Sequence, residues 1–246
     1  MTIKRTLVIA LLIGVGVLIF AVVYIPRAVR SFFYPVAPPM PPVVSKSMPQ
    51  ILTELEAAMN TKAPEALKHL QRGLSDVEIA NLEGQAGIHL PDEIRALYRW
   101  HNGCQTNDFL TSGPIPGHRF VPLAEALGLP TMLSNQVSKA TTAQKAAYEI
   151  FAAHRRSWIT LFDDGAGDGY FFDPKRKPSD GAVFFSFAED GSYVFFPSVC
   201  NLLAGAAKCY EVGAFSWTNG PSGPQLDDDF NRSAKIWEEF GASNTR

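Results

Sequence analysis

Trp158-Ile159-Thr160-Leu161-Phe162-Asp163-Asp164-Gly165-Ala166-Gly167-Asp168-Gly169-Tyr170-Phe171-Phe172-Asp173 is the stretch from which the fold is read. Trp158 to Phe162 is aromatic, aliphatic and β-branched, the pattern of a buried strand. Asp163 to Gly169 sets three glycines and three aspartates in seven residues, which no helix or strand interior tolerates. Tyr170 to Phe172 resumes strand character, and Asp173-Pro174 stops it. The stretch therefore reads as a hairpin with an acidic, glycine-rich tip. Such a tip suits a cation or a basic partner; as a solvated turn it needs no function.

Working outward on the C-terminal side, strands are expected near 158–162, 169–173, 182–187 and 193–196, followed by a helix over about 198–209. Phe171-Phe172, Phe184-Phe185 and Phe195-Phe196 are adjacent pairs. One member of each faces the core and the other the opposite side. The outward members need either covering helices or a partner. Thr218 to Gln225 reads as a Gly/Pro loop. Asp227-Asp228-Asp229 then sits at a helix N-terminus, where negative charge is favoured, with Phe230, Ala234 and Trp237 facing inward.

On the N-terminal side the periodicity is helical. Ile51, Leu52, Leu55 and Met59 recur at helix spacing up to about Asn60. Pro64 opens a second helix with Leu67 and Leu70 inside and Gly73 closing it. Ser75-Asp76-Val77-Glu78 is a capping box, with Ile79, Leu82 and Ala86 on one face and Gly87 as the stop. Leu90-Pro91-Asp92-Glu93 starts another helix with Ile94, Leu97 and Tyr98 inward, and Asn102-Gly103 is read as its left-handed end. In the middle, Gly113 to Gly117 is loop, Phe120-Val121 a short strand, Leu123 to Leu127 a short helix, and Ala143 to Arg155 a longer one.

The order of these pieces carries a resemblance. Leu-Ser-Asp-Val-Glu-Ile-Ala-Asn-Leu-Glu at 74–83 and Ile-His-Leu-Pro-Asp-Glu-Ile-Arg-Ala-Leu-Tyr-Arg-Trp-His-Asn-Gly at 88–103 resemble the opening of the SUKH superfamily. That group contains the yeast glucan-synthesis regulators and many bacterial toxin-immunity proteins. The 158–173 stretch is similar too, as are Gly181-Ala182-Val183-Phe184 and Ser192-Tyr193-Val194-Phe195-Phe196-Pro197-Ser198-Val199. The resemblance covers about residues 50–215. It implies an α+β fold, helices packed against a curved mixed sheet, and protein recognition rather than catalysis.

Composition bounds the rest. An apolar content of 46% with 19% charge excludes a disordered chain. The net charge of −2 conceals an asymmetry. Residues 1–49 hold Lys4, Arg5, Arg27, Arg30 and Lys46 with no acid, leaving 17 basic against 24 acidic residues beyond them. A domain of that balance is a poor ligand for a phosphate backbone, so nucleic acid is disfavoured. It suits a basic partner better, although surplus acid also serves solubility.

Leu7 to Ile25 is nineteen residues without a charge, close to the ~20 that cross a ~30 Å hydrocarbon core. A cleaved signal peptide is the competing reading, but its apolar core is typically about 7–15 residues. Both Val23-Tyr24-Ile25 and Arg27-Ala28-Val29 put a large residue where its cleavage site needs a small one. The stretch reads as an uncleaved single-pass anchor, with the side of the membrane left open by near-equal flanking charge. Residues 1–30 form the anchor region and 31–47 a proline-rich spacer around Pro35 to Pro42; residues 48–246 form the globular domain. Cys104, Cys200 and Cys209 are an odd set, leaving at least one free thiol. Nine positions apart on one helix, Cys200 and Cys209 lie ~13 Å apart along its axis, too far for a bridge.

Catalytic readings fail on spacing. As an EF-hand begun at Asp164, the acidic tip puts Ala166 at position 3 and Lys175 at position 12, where ligands are required. Gly165-Ala166-Gly167-Asp168-Gly169 lacks the Lys-Ser/Thr ending of a phosphate loop. His101 and Cys104 have no second pair at metal spacing, and a helix end explains them equally well as an interface or cap. No catalytic residue, metal site or cofactor is assigned. Asp163, Asp164, Asp168 and Asp173, with Trp100, Asn102 and Trp158, are the candidate partner-binding residues; Trp100 and Trp158 are also expected to be substantially buried. Three functions remain: a membrane-tethered toxin-neutralising immunity protein, a membrane-anchored scaffold or regulator of envelope or wall synthesis, and a hydrolase or metalloenzyme resting on the carboxylate loop alone.

Overall fold

The hairpin expected over 158–173 forms the middle of a five-stranded sheet. In the computed structural model the described residues are 41–105, 113–128, 158–175, 182–187, 191–220 and 223–241. The apolar stretch at 7–25, most of the proline-rich run and the expected helix at 143–155 lie outside them. Among the described residues no helix is long and apolar enough to cross a membrane.

The sheet runs in the order β3 (Arg119–Phe120), β4 (Ile159–Asp163), β5 (Gly169–Phe172), β6 (Val183–Phe187), β7 (Gly191–Phe196). Every pairing in it is antiparallel, so the expected mixed sheet is corrected to an antiparallel one. Consecutive strands that reverse on each other pair this way; parallel neighbours need a crossover. β4 carries a bulge: Thr160 pairs with Phe171 and Phe162 with Tyr170, leaving Leu161 as the extra residue. The bulge breaks the alternation and lets both Leu161 and Phe162 be fully buried.

Phe171, Phe172, Phe184 and Phe196 are buried, on both sides of the sheet. Tyr170, Phe172, Val183 and Phe196 join the main core. On the opposite face Phe171 and Phe184 pair across β5 and β6, and both are buried. Trp158 stacks on Phe184 with centroids 4.5 Å apart. Of the two outcomes open to these side chains, the outward members at Phe171 and Phe184 are covered rather than presented.

The helices follow from their caps and stripes. α1 (Met48–Lys62) begins with a capping box between Ser47 and Gln50 and buries Met48, Ile51, Leu52, Leu55 and Met59. α2 (Pro64–Leu67) is a single turn. α3 (Asp76–Ala86) has the expected Ser75–Glu78 box and ends at Gly87, φ 67°. α4 (Asp92–Trp100) buries Ile94, Leu97 and Tyr98. After α5 (Leu123–Ala126) comes α6 (Val199–Glu211), apolar nearly all round. Such a helix belongs in the centre, and it packs chiefly against α1 and α7 (Phe230–Phe240). Cys200 and Cys209 lie on α6 and, like Cys104, are free thiols.

Four local expectations are corrected. The helix from Pro64 stops at Leu67, and β1 (Leu70–Arg72) pairs with β2 (His101–Cys104). Gly73 is pressed against the end of α4, where a Cβ would stand 1.7 Å from the Arg99 carbonyl oxygen. It therefore serves a close approach between segments and not a helix stop. Asn102-Gly103 does not cap α4 either: the chain turns extended at His101 and enters β2. Gly103 keeps its positive φ of 75° inside the strand, and a Cβ there would also meet Pro122 nitrogen at 2.5 Å, so glycine is required on both counts.

The expected loop at 218–225 is a hairpin of β8 (Phe215–Gly220) and β9 (Gly223–Asp228), in register from Phe215–Asp228 to Gly220–Gly223. A two-stranded ribbon has a free edge at each strand, where Pro224 and the glycines are tolerated. Finally, α7 is rotated from the expected face. Phe230 is 72% exposed, while Ser233 and Ile236 are buried. Trp237 packs on Phe196 and Phe215, reaching α6 at Gly205, where a Cβ would approach its ring to 2.8 Å.

Candidate functional site

The tip of the β4–β5 hairpin is built from its aspartates inward. Asp164 Oδ1 accepts three backbone N–H groups, from Ala166 at 2.8 Å, Gly167 at 3.0 Å and Asp168 at 2.9 Å. The Asp164 N–H in turn donates to the Asp168 carbonyl at 3.0 Å. This side-chain turn closes the loop around one carboxylate. Gly165 and Gly167 supply the positive φ values of 73° and 120° that it demands. The exposed apex is Gly165-Ala166, and Asp163, Asp164 and Asp168 are half-buried.

A cation that sequence reasoning missed holds the base of the tip. Arg119 on β3 lies opposite Asp163 on β4. Its Nε donates to Asp163 Oδ1 at 2.8 Å and its Nη2 to Oδ2 at 2.9 Å, a bidentate pair. Nη1 also donates to Glu125 Oε2 at 3.1 Å, and Nη2 to Glu125 Oε1, from the α5 turn. The guanidinium is buried, and the two carboxylates are largely so. Burial opposes its charge, but hydrogen bonds and charge from Glu125 and Asp163 outweigh that and raise its pKa. Burial likewise pushes the Asp163 carboxyl up, against the pull of Arg119. Two of the tip carboxylates are thus engaged within the fold: Asp163 is held by Arg119 and Asp164 is turned into its own loop.

His118, next to Arg119, completes the neighbourhood. Its Nδ1–H donates to the Pro116 carbonyl at 3.0 Å, and its ring packs against Tyr170 and Phe185. Nε2 is buried with no hydrogen-bond partner among the described residues. Burial lowers the His118 pKa despite the Pro116 carbonyl and Asp164, Asp163 and Asp168, so the ring is neutral at neutral pH. Among the described residues no group of three His, Cys, Asp or Glu is placed to hold a metal ion.

The other candidates lie elsewhere. Asp173 and Trp158 sit at the far end of the hairpin, where the indole Nε1–H donates to Asp173 Oδ2 at 3.1 Å and Lys175 N–H to Oδ1 at 2.9 Å. Trp100 ends α4, and its Nε1–H donates to Glu56 Oε2 of α1 at 2.7 Å. Both tryptophans are half-buried and not fully enclosed, because each keeps its N–H on a surface carboxylate. Asn102 Oδ1 accepts the Leu123 N–H at 3.0 Å, tying β2 to the start of α5. His101 and Cys104 stand three positions apart along β2, across a register shift against β1. His101 Nδ1 meets the Gln71 carbonyl at 2.7 Å, and burial pushes the Cys104 thiol up to about 12.

The structure therefore brings together Asp163, Asp164 and Asp168, with Arg119, Glu125 and His118 added, while Asp173 and Trp158 sit at the other end of the hairpin and Trp100 and Asn102 are engaged by Glu56 and Leu123. Arg119 sits in a two-residue strand after a Gly/Pro loop, and nothing in its local pattern announces a partner 44 residues away. A sequence model of the SMI1 / KNR4 family (SUKH-1) matches residues 73–204, just over half of the chain. Comparison with curated proteins gave no match.

Proposed function

From membership of the SMI1 / KNR4 family (SUKH-1), to which this chain belongs, we propose that the protein works by binding another protein and not by catalysis. The specific reading is an immunity-type protein that neutralises a basic toxin domain, tethered to a membrane by the apolar stretch at 7–25. The observation that carries it is the tip: a loop closed on its own hydrogen bonds, where Asp163, Asp164 and Asp168 lie together and Asp163 shares the Arg119 guanidinium with Glu125. That surplus of negative charge steers a cationic partner and fixes its orientation, while apolar contacts supply affinity. The acidic balance beyond residue 49 works in the same sense.

The test uses the full-length chain in its membrane fraction, crosslinked and captured, beside a variant with Asp164→Asn and Asp168→Asn. Asp163 is left alone because its loss would strand Arg119. A single basic protein is expected with the wild type, recovered less and with weaker salt dependence by the variant. A neutral or acidic partner, or equal recovery at low salt, would overturn the reading. A chain released from membranes by carbonate would remove the tether alone.

The second reading is a membrane-anchored scaffold or regulator of envelope synthesis. Leu7 to Ile25 and the prolines from Pro35 to Pro42 favour it. A toxin gene beside this one supports the first reading, and envelope-synthesis proteins among the captured partners support the second.

A further inference from the structure

Asn201, in the first turn of α6, is 1% exposed and uses every hydrogen-bonding position of its amide. Oδ1 accepts the Val44 N–H at 3.2 Å and the Ser198 hydroxyl at 2.8 Å. Nδ2 donates to the Pro42 carbonyl and to the Phe240 carbonyl, both at 3.1 Å. Ser198 Oγ accepts the Asn201 N–H at 3.1 Å and so holds the residue at its own helix end. Phe240 is the last residue of α7, and its carbonyl is one of those a helix leaves without an internal partner. Val44 also packs its side chain on the core. One planar amide thus joins the chain ahead of α1 to the end of α7, some two hundred residues on.

We infer that residues 42–44 are a strap latched by Asn201, and that strap and α7 are released together. The amide is planar, so its four bonds share one orientation. Losing the Val44 donor frees the amide to swing, and the bond to Phe240 weakens with it. The strap is then part of the globular unit rather than of a free spacer, and displacing it loosens the far end of the chain. This inference does not depend on what the protein binds.

Hydrogen exchange on the full-length chain tests it through two variants. Asn201→Leu removes all four bonds at once. Val44→Pro removes the strap's donor, with part of the Val44 side-chain packing, and leaves the amide in place. Peptides covering α7 are expected to exchange at least about tenfold faster in the first variant and about fivefold faster in the second. The β4–β5 hairpin should exchange as in the wild type in both. Unchanged α7 exchange in Val44→Pro would overturn the coupling and leave Asn201 as a local cap. Equal acceleration of α7 and the hairpin would also overturn it, as general destabilisation. If Asn201→Leu fails to fold, Val44→Pro still decides the question.

Discussion

Arg119 and Asp163 face each other across β3 and β4 and close a bidentate ion pair, with donor–acceptor distances of 2.8 and 2.9 Å. The pair converts an acidic turn into a fixed corner of the sheet. β3 is only two residues long, so backbone pairing alone holds it weakly. The guanidinium adds a second attachment through α5 by way of Glu125.

Removing Arg119 should therefore be costly. Arg119→Leu leaves Asp163 and Glu125 unpaired in a largely buried site, and a loss of ~3–5 kcal/mol in urea denaturation is expected. Arg119→Lys should recover only part, since a point charge cannot match two carboxylates bidentately. A Leu variant as stable as the wild type would show that the corner is held by β3 pairing alone.

Asp164 tests the loop itself. Asp164→Ala removes the acceptor of three N–H groups and should cost ~1–3 kcal/mol, with faster amide exchange from Ala166 to Asp168. Asp164→Asn keeps a carbonyl oxygen at the same place and should stay close to the wild type. Equal loss in both variants would assign the effect to charge and not to the turn.

Two glycines should respond in opposite directions. Gly73→Ala would drive a Cβ into the Arg99 carbonyl, at 1.7 Å before adjustment. A loss above ~3 kcal/mol or failure to fold is expected. Gly84, on the exposed side of α3, has nothing within 4 Å of its would-be Cβ. Gly84→Ala should raise stability by ~0.5–1 kcal/mol through helix propensity. Thermal melts of the two variants check both signs.

Glu78 sets a pH dependence with a definite direction. Hydrogen bonds from Arg72 and from the Ser75 backbone and hydroxyl lower its pKa from 4.5 to about 2. The unfolded chain then holds more protons than the folded one between those values. The contribution is complete above the unfolded value and disappears as pH falls toward 2. Glu78→Gln should be less stable than the wild type at pH 7, with the gap narrowing below pH 4.5 and closing only near pH 2. A gap that stayed constant with pH would mean that the carboxylate's charge contributes nothing.

What the sequence determined by itself is what neighbouring residues decide together. The Ser75–Glu78 capping box, the left-handed Gly87, the stripe from Met48 to Met59 and the hairpin at 158–173 all appear where local pattern places them. Each depends on spacing of three or four along a helix, two along a strand, or on residues that tolerate positive φ. The order of these pieces also carried the family resemblance, which the match over 73–204 bears out. Tertiary structure alone decided the rest, because the decisive partners are far apart in the chain. Gly73 reads as a helix stop until Arg99 is seen against it. Asn102 reads as a cap until its side chain is found on Leu123. The acidic tip reads as free charge until Arg119 is found beneath Asp163. Periodicity records which face a residue occupies; which group waits on that face is set only when the elements pack.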